Sequence, residues 1–155
     1  MTERCRARMV PELLVSDLSR SLAFWMDLCG FEIVYRREDE GFVYLDLEGA
    51  QFMLEEVRGD DNWITAPLEG PRGRGINFEI TVRAVEPLLE RLAAAGWPLY
   101  REQQERWYRS DAIEIGVRQF LVQDPDGYLL RFSQRIGERP GSRDQLAATG
   151  NRRPA

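Results

Sequence analysis

The chain contains no histidine. Imidazole is the commonest metal ligand in proteins and the side chain whose ordinary pKa suits it best to proton transfer near neutral pH. A chain without it is poorly equipped for metal-dependent catalysis, so carboxylate or thiolate chemistry would have to replace it.

The chain also has only two cysteines, and fewer basic than acidic residues. Cys5 and Cys29 lie far apart with no CxxC spacing, which predicts two reduced thiols rather than a disulfide framework. The 21 basic residues are outnumbered by 26 acidic ones, for a formal net charge of -5. A nucleic-acid partner is therefore not expected, because phosphate binding needs a positive face, and a cationic or neutral ligand is favoured instead.

No apolar run is long enough to span a membrane, and the first eight residues lead into no apolar stretch typical of a signal sequence. We therefore expect no membrane association and a cytoplasmic location. The chain has 155 residues, of which 43% are hydrophobic, enough for one compact domain with its own core.

The apolar pattern predicts two copies of one βαβββ module. In the first half, a strand at Val10–Val15 precedes a helix at Asp17–Cys29, which has apolar residues at helical spacing and ends at Gly30. Period-two patterns then predict strands at Phe31–Arg36, Gly41–Leu47 and Ala50–Val57.

The second half repeats this order at an offset of 66 residues, which places Gly30-Phe31 over Gly96-Trp97. The predicted elements are strand Ile76–Val82, helix Val85–Ala95 and strands Pro98–Glu102, Ala112–Gln123 and Tyr128–Gln134. The modules thus span 9–57 and 75–135, with a linker loop over 58–74. Residues 136–155 have little to bury and are expected to form a flexible tail.

Two motifs resemble a known family. Val15-Ser16-Asp17, followed by Ser21-Leu22-Ala23-Phe24-Trp25 and Gly30-Phe31, resembles the opening of the vicinal oxygen chelate superfamily, which includes glyoxalases, bleomycin resistance proteins and extradiol dioxygenases. Trp25 stands where that pattern usually has tyrosine. Asp124-Pro125-Asp126-Gly127-Tyr128 resembles the turn before the superfamily's last strand.

The resemblance implies an α+β fold in which each module curls its sheet into half a barrel around a cavity. The usual metal-ligand positions fall on Val10, Met53, Gly75 and Arg131, none of which offers an imidazole or carboxylate. The chain therefore looks most like the metal-free bleomycin-resistance branch, which implies no cofactor, a homodimer and a cationic or aromatic small-molecule ligand.

Strand parity predicts the cavity wall without reference to that ligand. In the strand Ile76–Val82, alternate apolar residues must meet a helix, so the residues between them face the concave side. The same argument on the other strands gives a wall of Phe42, Tyr44, Asp46, Gln51, Met53, Glu55, Asn77, Glu79, Arg131 and Ser133. Arg131 either pairs with a glutamate and closes the barrel or contacts the ligand.

Trp63, Trp107 and Tyr108 lie in segments expected to border the cavity mouth. Their rings either stack on a flat or cationic ligand or fill a gap between the modules. Trp25 and Trp97, at helix and strand core positions, are expected to pack.

Three functions remain open at this point. The first is sequestration of an antibiotic of the bleomycin type. The second is an enzyme of the same fold, of lyase, transferase or dioxygenase-like chemistry without the usual metal site, with Glu79 or Tyr44 as acid or base. The third is a ligand-sensing or structural module.

Overall fold

A computed structural model describes residues 6–59 and 62–141. The first module consists of β1 (Glu12–Val15), α1 (Leu18–Leu22), which continues as a π-helical segment (Ala23–Leu28), β2 (Glu32–Arg37), β3 (Phe42–Leu47) and β4 (Ala50–Glu56). The Asp17 side chain accepts a hydrogen bond from the Arg20 amide and caps the helix. Gly30 ends the helical segment with a φ of 83°, in the left-handed region that glycine adopts readily.

The second module consists of β5 (Asn77–Thr81), α2 (Glu86–Ala94), β6 (Leu99–Ser110), β7 (Ile113–Gln123) and β8 (Leu129–Pro140). The strand orders β1-β4-β3-β2 and β5-β8-β7-β6 are equivalent, with the first pair of each sheet parallel and the other pairs antiparallel. The α+β class and the duplicated βαβββ module are confirmed.

Two strands of the second module are longer than predicted. β6 continues past Glu102 to Ser110, and β8 continues past Gln134 to Pro140, so residues 136–140 belong to a strand and not to the flexible tail. The extensions are mostly polar, with Trp107, Tyr108 and Ile136 as exceptions, and cross-strand pairs such as Arg139 with Glu114 replace most of the burial in the core. A search for apolar periodicity therefore misses them. Cys5 and residues 142–155 lie outside the described residues.

One hydrophobic core joins the convex sides of the two sheets. Phe52 of β4 meets Phe78 of β5 edge to face, with ring centroids 5.2 Å apart, and Phe24 packs at 5.0 Å from Trp97. Trp25 is fully buried, and Trp97 packs against the same cluster, as predicted. Because the helices and these rings occupy the convex sides, each module keeps its concave face open.

Polar contacts also fix the two modules together. The Tyr128 hydroxyl donates to the Leu14 carbonyl at 3.0 Å, and Asp126 accepts from the Ser16 amide at 3.0 Å.

Cys29 is buried with a free thiol, and its burial raises the pKa of that thiol. Among the described residues, no helix has the length and apolarity that crossing a bilayer would need.

Candidate functional site

The concave face of the first module forms a cleft of about 440 Å³, here called the first cleft. Strand register places its residues in two rows across the sheet. One row runs Glu12, Met53, Tyr44, Tyr35, and the next runs Leu14, Glu55, Phe42, Arg37. All of these line the first cleft except Tyr44, which lines an adjoining pocket of about 130 Å³ together with Tyr35 and Arg6. Arg6 and Trp63 complete the lining of the first cleft, and Trp63 is 91% exposed at the rim.

Two carboxyl groups lie together in the first cleft. Burial, a hydrogen bond to Glu55 and the charge of Glu55 raise the pKa of Glu12, while Arg37 opposes the rise. Asn62 donates to the Glu55 carboxylate at 2.6 Å. The two carboxyl groups are thus hydrogen-bonded to each other, and a bound cation would favour the charged form of Glu12.

The aromatic part of the first cleft already carries planar cations of the chain itself. The Arg37 guanidinium lies 3.7 Å from the Phe42 ring centroid, and the Arg6 guanidinium lies 5.3 Å from that of Tyr44. Tyr35 stacks on Tyr44 at 5.2 Å. These ring faces are thus suited to hold flat cationic groups beside a pair of carboxyls.

Not every predicted residue of this module faces the ligand space. Gln51 is buried and accepts from the Tyr44 hydroxyl at 2.6 Å, and its amide donates to Asp46 at 2.8 Å. Asp46 also accepts from the Gly49 amide and does not line the first cleft. Asp46 and Gln51 therefore orient the Tyr44 ring rather than form the wall.

The concave face of the second module forms a separate cleft of about 450 Å³, here called the second cleft. Three arginines are distributed around amide, phenol and indole groups. Its lining residues are Asn77, Arg101, Gln104, Arg106, Trp107, Tyr108, Gln119, Leu121 and Arg131.

The structure contains the first of the two alternatives left open for Arg131, an ion pair with a glutamate. Its guanidinium donates to Glu79 at 2.6 Å, and the two side chains are 26% and 45% exposed. Arg131, which lines the second cleft, is therefore ion-paired with Glu79 on the neighbouring strand.

Trp107 has a structural partner as well as a place in the second cleft. Its ring lies so close to Gly116 that a Cβ at that position would fall 2.8 Å from it, and the Arg139 guanidinium is 4.2 Å from its centroid. Tyr108 is 45% exposed, and its hydroxyl accepts from Gln119 at 2.9 Å. Tyr108 is thus the more accessible of the two rings.

Within one chain, the predicted residues line two clefts instead of one cavity. Phe42, Met53, Glu55 and Trp63 belong to the first cleft, and Asn77, Trp107, Tyr108 and Arg131 to the second. The division arises because each sheet curves separately and the sheets do not pair with one another.

Residues that line the clefts but were not predicted from the sequence include Glu12, Arg101 and Gln119. Glu12 was missed because the short strand β1 gives little parity signal, whereas its register with Met53 places it on the concave side. Arg101 was missed because irregularities in β6 on both sides of it break the alternation along the strand. Gln119 was missed because β7 was not divided by parity.

The four positions where metal ligands are usual do not provide a donor set. Val10 and Gly75 have no donor side chain, Met53 offers only a thioether, and Arg131 is engaged by Glu79. Within residues 6–59 and 62–141, no group of three or more acidic or cysteine side chains could hold a metal ion.

Comparison with known proteins relates most of the chain to one family. The model of the glyoxalase, bleomycin resistance protein and dioxygenase superfamily matches residues 8–132. A bleomycin resistance protein of Geobacillus stearothermophilus is 26% identical over 82% of this chain and 96% of its own. One from Staphylococcus aureus has the same identity and coverage.

Solved structures support the same fold. TioX from Micromonospora sp. ML1 is 23% identical, with a TM-score of 0.64 over 84% of this chain and all of its own. The fosfomycin resistance protein FosX from Listeria monocytogenes is 20% identical, with a TM-score of 0.55 over 85% of this chain and 94% of its own. At these identities the likeness concerns the fold alone.

Proposed function

The chain belongs to the glyoxalase, bleomycin resistance protein and dioxygenase superfamily, and from this membership and the first cleft we propose that it binds and sequesters a small antibiotic of the bleomycin type without a metal. The match with its relatives named as bleomycin resistance proteins spans 96% of the length of those relatives. The ligand we propose is a flat cationic molecule.

The observation that carries the proposal is the placement of guanidinium groups over Phe42 in the first cleft and over Tyr44 in the pocket beside it. Arg37 over Phe42 and Arg6 over Tyr44 indicate that this wall stabilises planar cations. The carboxyl pair of Glu12 and Glu55 lies in the same cleft and supplies the counter-charge. A ligand that brings its own planar cation would compete with Arg37 and Arg6 for these ring faces.

The proposal predicts that bleomycin raises the melting temperature and quenches the fluorescence of Trp63 at the rim. Glu55→Gln should weaken binding by about fivefold and flatten its dependence on ionic strength, because a charge pair contributes on the order of 1 kcal/mol and is screened by salt. Isothermal titration calorimetry at two salt concentrations measures both effects.

Glu90→Gln on α2 is the matched control, since Glu90 is exposed and lies outside both clefts. It should leave affinity and salt dependence unchanged. Absence of any thermal or fluorescence response to bleomycin at near-millimolar concentration would contradict the antibiotic proposal and leave the family assignment intact.

A second candidate function is catalysis without a metal. Glu12, whose pKa is raised by burial and by Glu55, lies beside that second carboxyl in an arrangement suited to general acid and base chemistry. Glu79 and Tyr44 are instead engaged by Arg131 and Gln51. Mass spectrometry of bleomycin after incubation separates the two functions. Sequestration returns the antibiotic unchanged, and catalysis alters its mass.

A further inference from the structure

The second cleft is strongly cationic although the protein as a whole is acidic. Arg101, Arg106 and Arg131 line it, and of the described residues that line it none is acidic. The formal net charge of the chain is -5, so this positive charge is local and does not reflect the composition. A surface with this local excess attracts anions.

Within the part of the chain that the structure describes, two of these arginines have no carboxylate partner. Arg101 is exposed and forms no hydrogen bond or ion pair with any residue in 6–59 or 62–141. Arg106 is exposed and donates only to the neutral Gln104 at 3.1 Å within the same ranges. Arg118 and Arg139, on the neighbouring strands, each have a glutamate partner.

The strand register of the second sheet places Arg101 and Arg131 in the same row, on either side of Leu121. Glu79, Arg131, Leu121 and Arg101 form a row across β5, β8, β7 and β6. Neighbouring strands lie about 4.8 Å apart, so the two arginine backbones are separated by about 10 Å, and their long side chains can reach a single group above Leu121.

Unpaired polar atoms are buried beside this row. Gln119 is 2% exposed, and its side-chain oxygen has no hydrogen-bond partner among the described residues. The Arg131 Nε atom is likewise buried without a partner in that part of the chain. Because such atoms are costly to leave unpaired, they indicate a polar group that this wall is built to receive.

We propose that the second cleft binds an oxyanion, a carboxylate or phosphonate carried on a small molecule, between Arg101, Arg106 and Arg131. Guanidinium groups match the geometry of such anions with paired hydrogen bonds. Tyr108, whose ring is accessible, covers the organic part of the ligand, and Gln119 accepts from a hydroxyl next to the anion. Within one chain this site is separate from the cation-binding first cleft, and its test does not require that bleomycin bind.

The test uses phenylphosphonate as the probe, with benzyl alcohol as its neutral analogue. Nuclear magnetic resonance titration of the full chain should show saturable shifts with phenylphosphonate in the low millimolar range, corresponding to a weak single-site interaction, and none with benzyl alcohol. Arg101→Gln and Arg106→Gln should each weaken binding by about fivefold to tenfold. Arg83→Gln removes the same charge at a residue outside the clefts and should change nothing.

A further variant changes affinity in the opposite direction. Glu79→Gln removes the carboxylate that holds Arg131, so phenylphosphonate should bind about threefold more tightly or better. Thermal melts establish that each variant is folded. Equal effects of Arg83→Gln and Arg101→Gln, or equal shifts with benzyl alcohol, would overturn the oxyanion site. The phenylphosphonate titrations can fail or succeed whatever the result with bleomycin. Bleomycin binding by the Glu55→Gln variant tests the first cleft alone.

Discussion

Asp124 is a carboxyl buried where the two modules meet. One of its oxygens accepts from the amides of Asp126 and Tyr128, and the other accepts from the Trp25 indole at 3.3 Å. Burial raises its pKa from 3.8 to about 6 despite these hydrogen bonds. The folded state thus holds this proton more tightly than the unfolded chain does.

The sign of the resulting pH dependence follows from that difference. The stabilisation from protonated Asp124 is complete below about pH 4 and is lost as the pH rises through about 6, because ionisation then favours the unfolded chain. A shift of this size corresponds to about 3 kcal/mol. We expect Asp124→Asn to remove this part of the slope of unfolding free energy against pH.

Urea denaturation at pH values between about 4 and 7 measures the slope. Asp27→Asn is the matched control, because Asp27 is exposed on the π-helical segment and should leave the slope unchanged. If Asp124→Asn keeps the slope of the unmodified protein, the carboxyl is not the source of the pH dependence.

Sequence reasoning reached some residues of the site and not others, for physical reasons. It identified Glu55 and Arg131, because alternation along a strand fixes which face a side chain occupies. It could not choose between ion pairing and ligand contact for Arg131, since that depends on the lateral register of β5 and β8, which places Glu79 beside it. It missed Arg101 for the same kind of reason, because its position relative to Leu121 depends on bulges in β6.

At the scale of elements, the long strands β6, β7 and β8 distinguish the second module. They reach 12, 11 and 12 residues, whereas β2, β3 and β4 have 6, 6 and 7. The duplicated order of elements could be predicted because both halves share one apolar pattern. The extensions could not, because their stability comes from hydrogen-bonded pairing and cross-strand ion pairs that leave no apolar period.

Trp107 anchors this extension on the backbone of the neighbouring strand. A Cβ on Gly116 would lie 2.8 to 2.9 Å from three atoms of the indole ring, closer than nonbonded carbons approach. We therefore expect Gly116→Ala to lower the free energy of unfolding by about 1–3 kcal/mol, the usual cost of overpacking.

A double-mutant cycle isolates this contact. With Trp107→Leu as background, the same Gly116→Ala change should cost less than about 0.5 kcal/mol, because the ring that it displaces is gone. Chemical denaturation of the four proteins supplies the measurement. An equal cost in both backgrounds would mean that the alanine disturbs the strand itself and not the packing of Trp107.

At the scale of the whole molecule, a single chain leaves both clefts open. The first cleft is aromatic with a carboxyl pair, and the second is lined by arginines. Closed two-fold dimers are the commonest soluble oligomers. In such a dimer every contact between two residues occurs twice, once from each chain to its partner. We expect a homodimer in which the first cleft of each chain faces the second cleft of the other, so that each shared cavity draws residues from both chains.

Light scattering should then give twice the 18.0 kDa chain mass at about micromolar concentration. A mass equal to one chain would contradict the dimer.

Mixed dimers test whether each cavity is shared between chains. Glu55→Gln alters the first cleft and Tyr108→Ala the second, and each should weaken bleomycin binding when present in both chains. After mixing and subunit exchange, about half of the dimers are heterodimers, and each of these has one cavity with both changes and one with neither. About a quarter of all cavities should therefore regain the original affinity in a calorimetric titration. If each cavity were formed within one chain, every cavity would carry one change or the other, and mixing would restore no high-affinity binding.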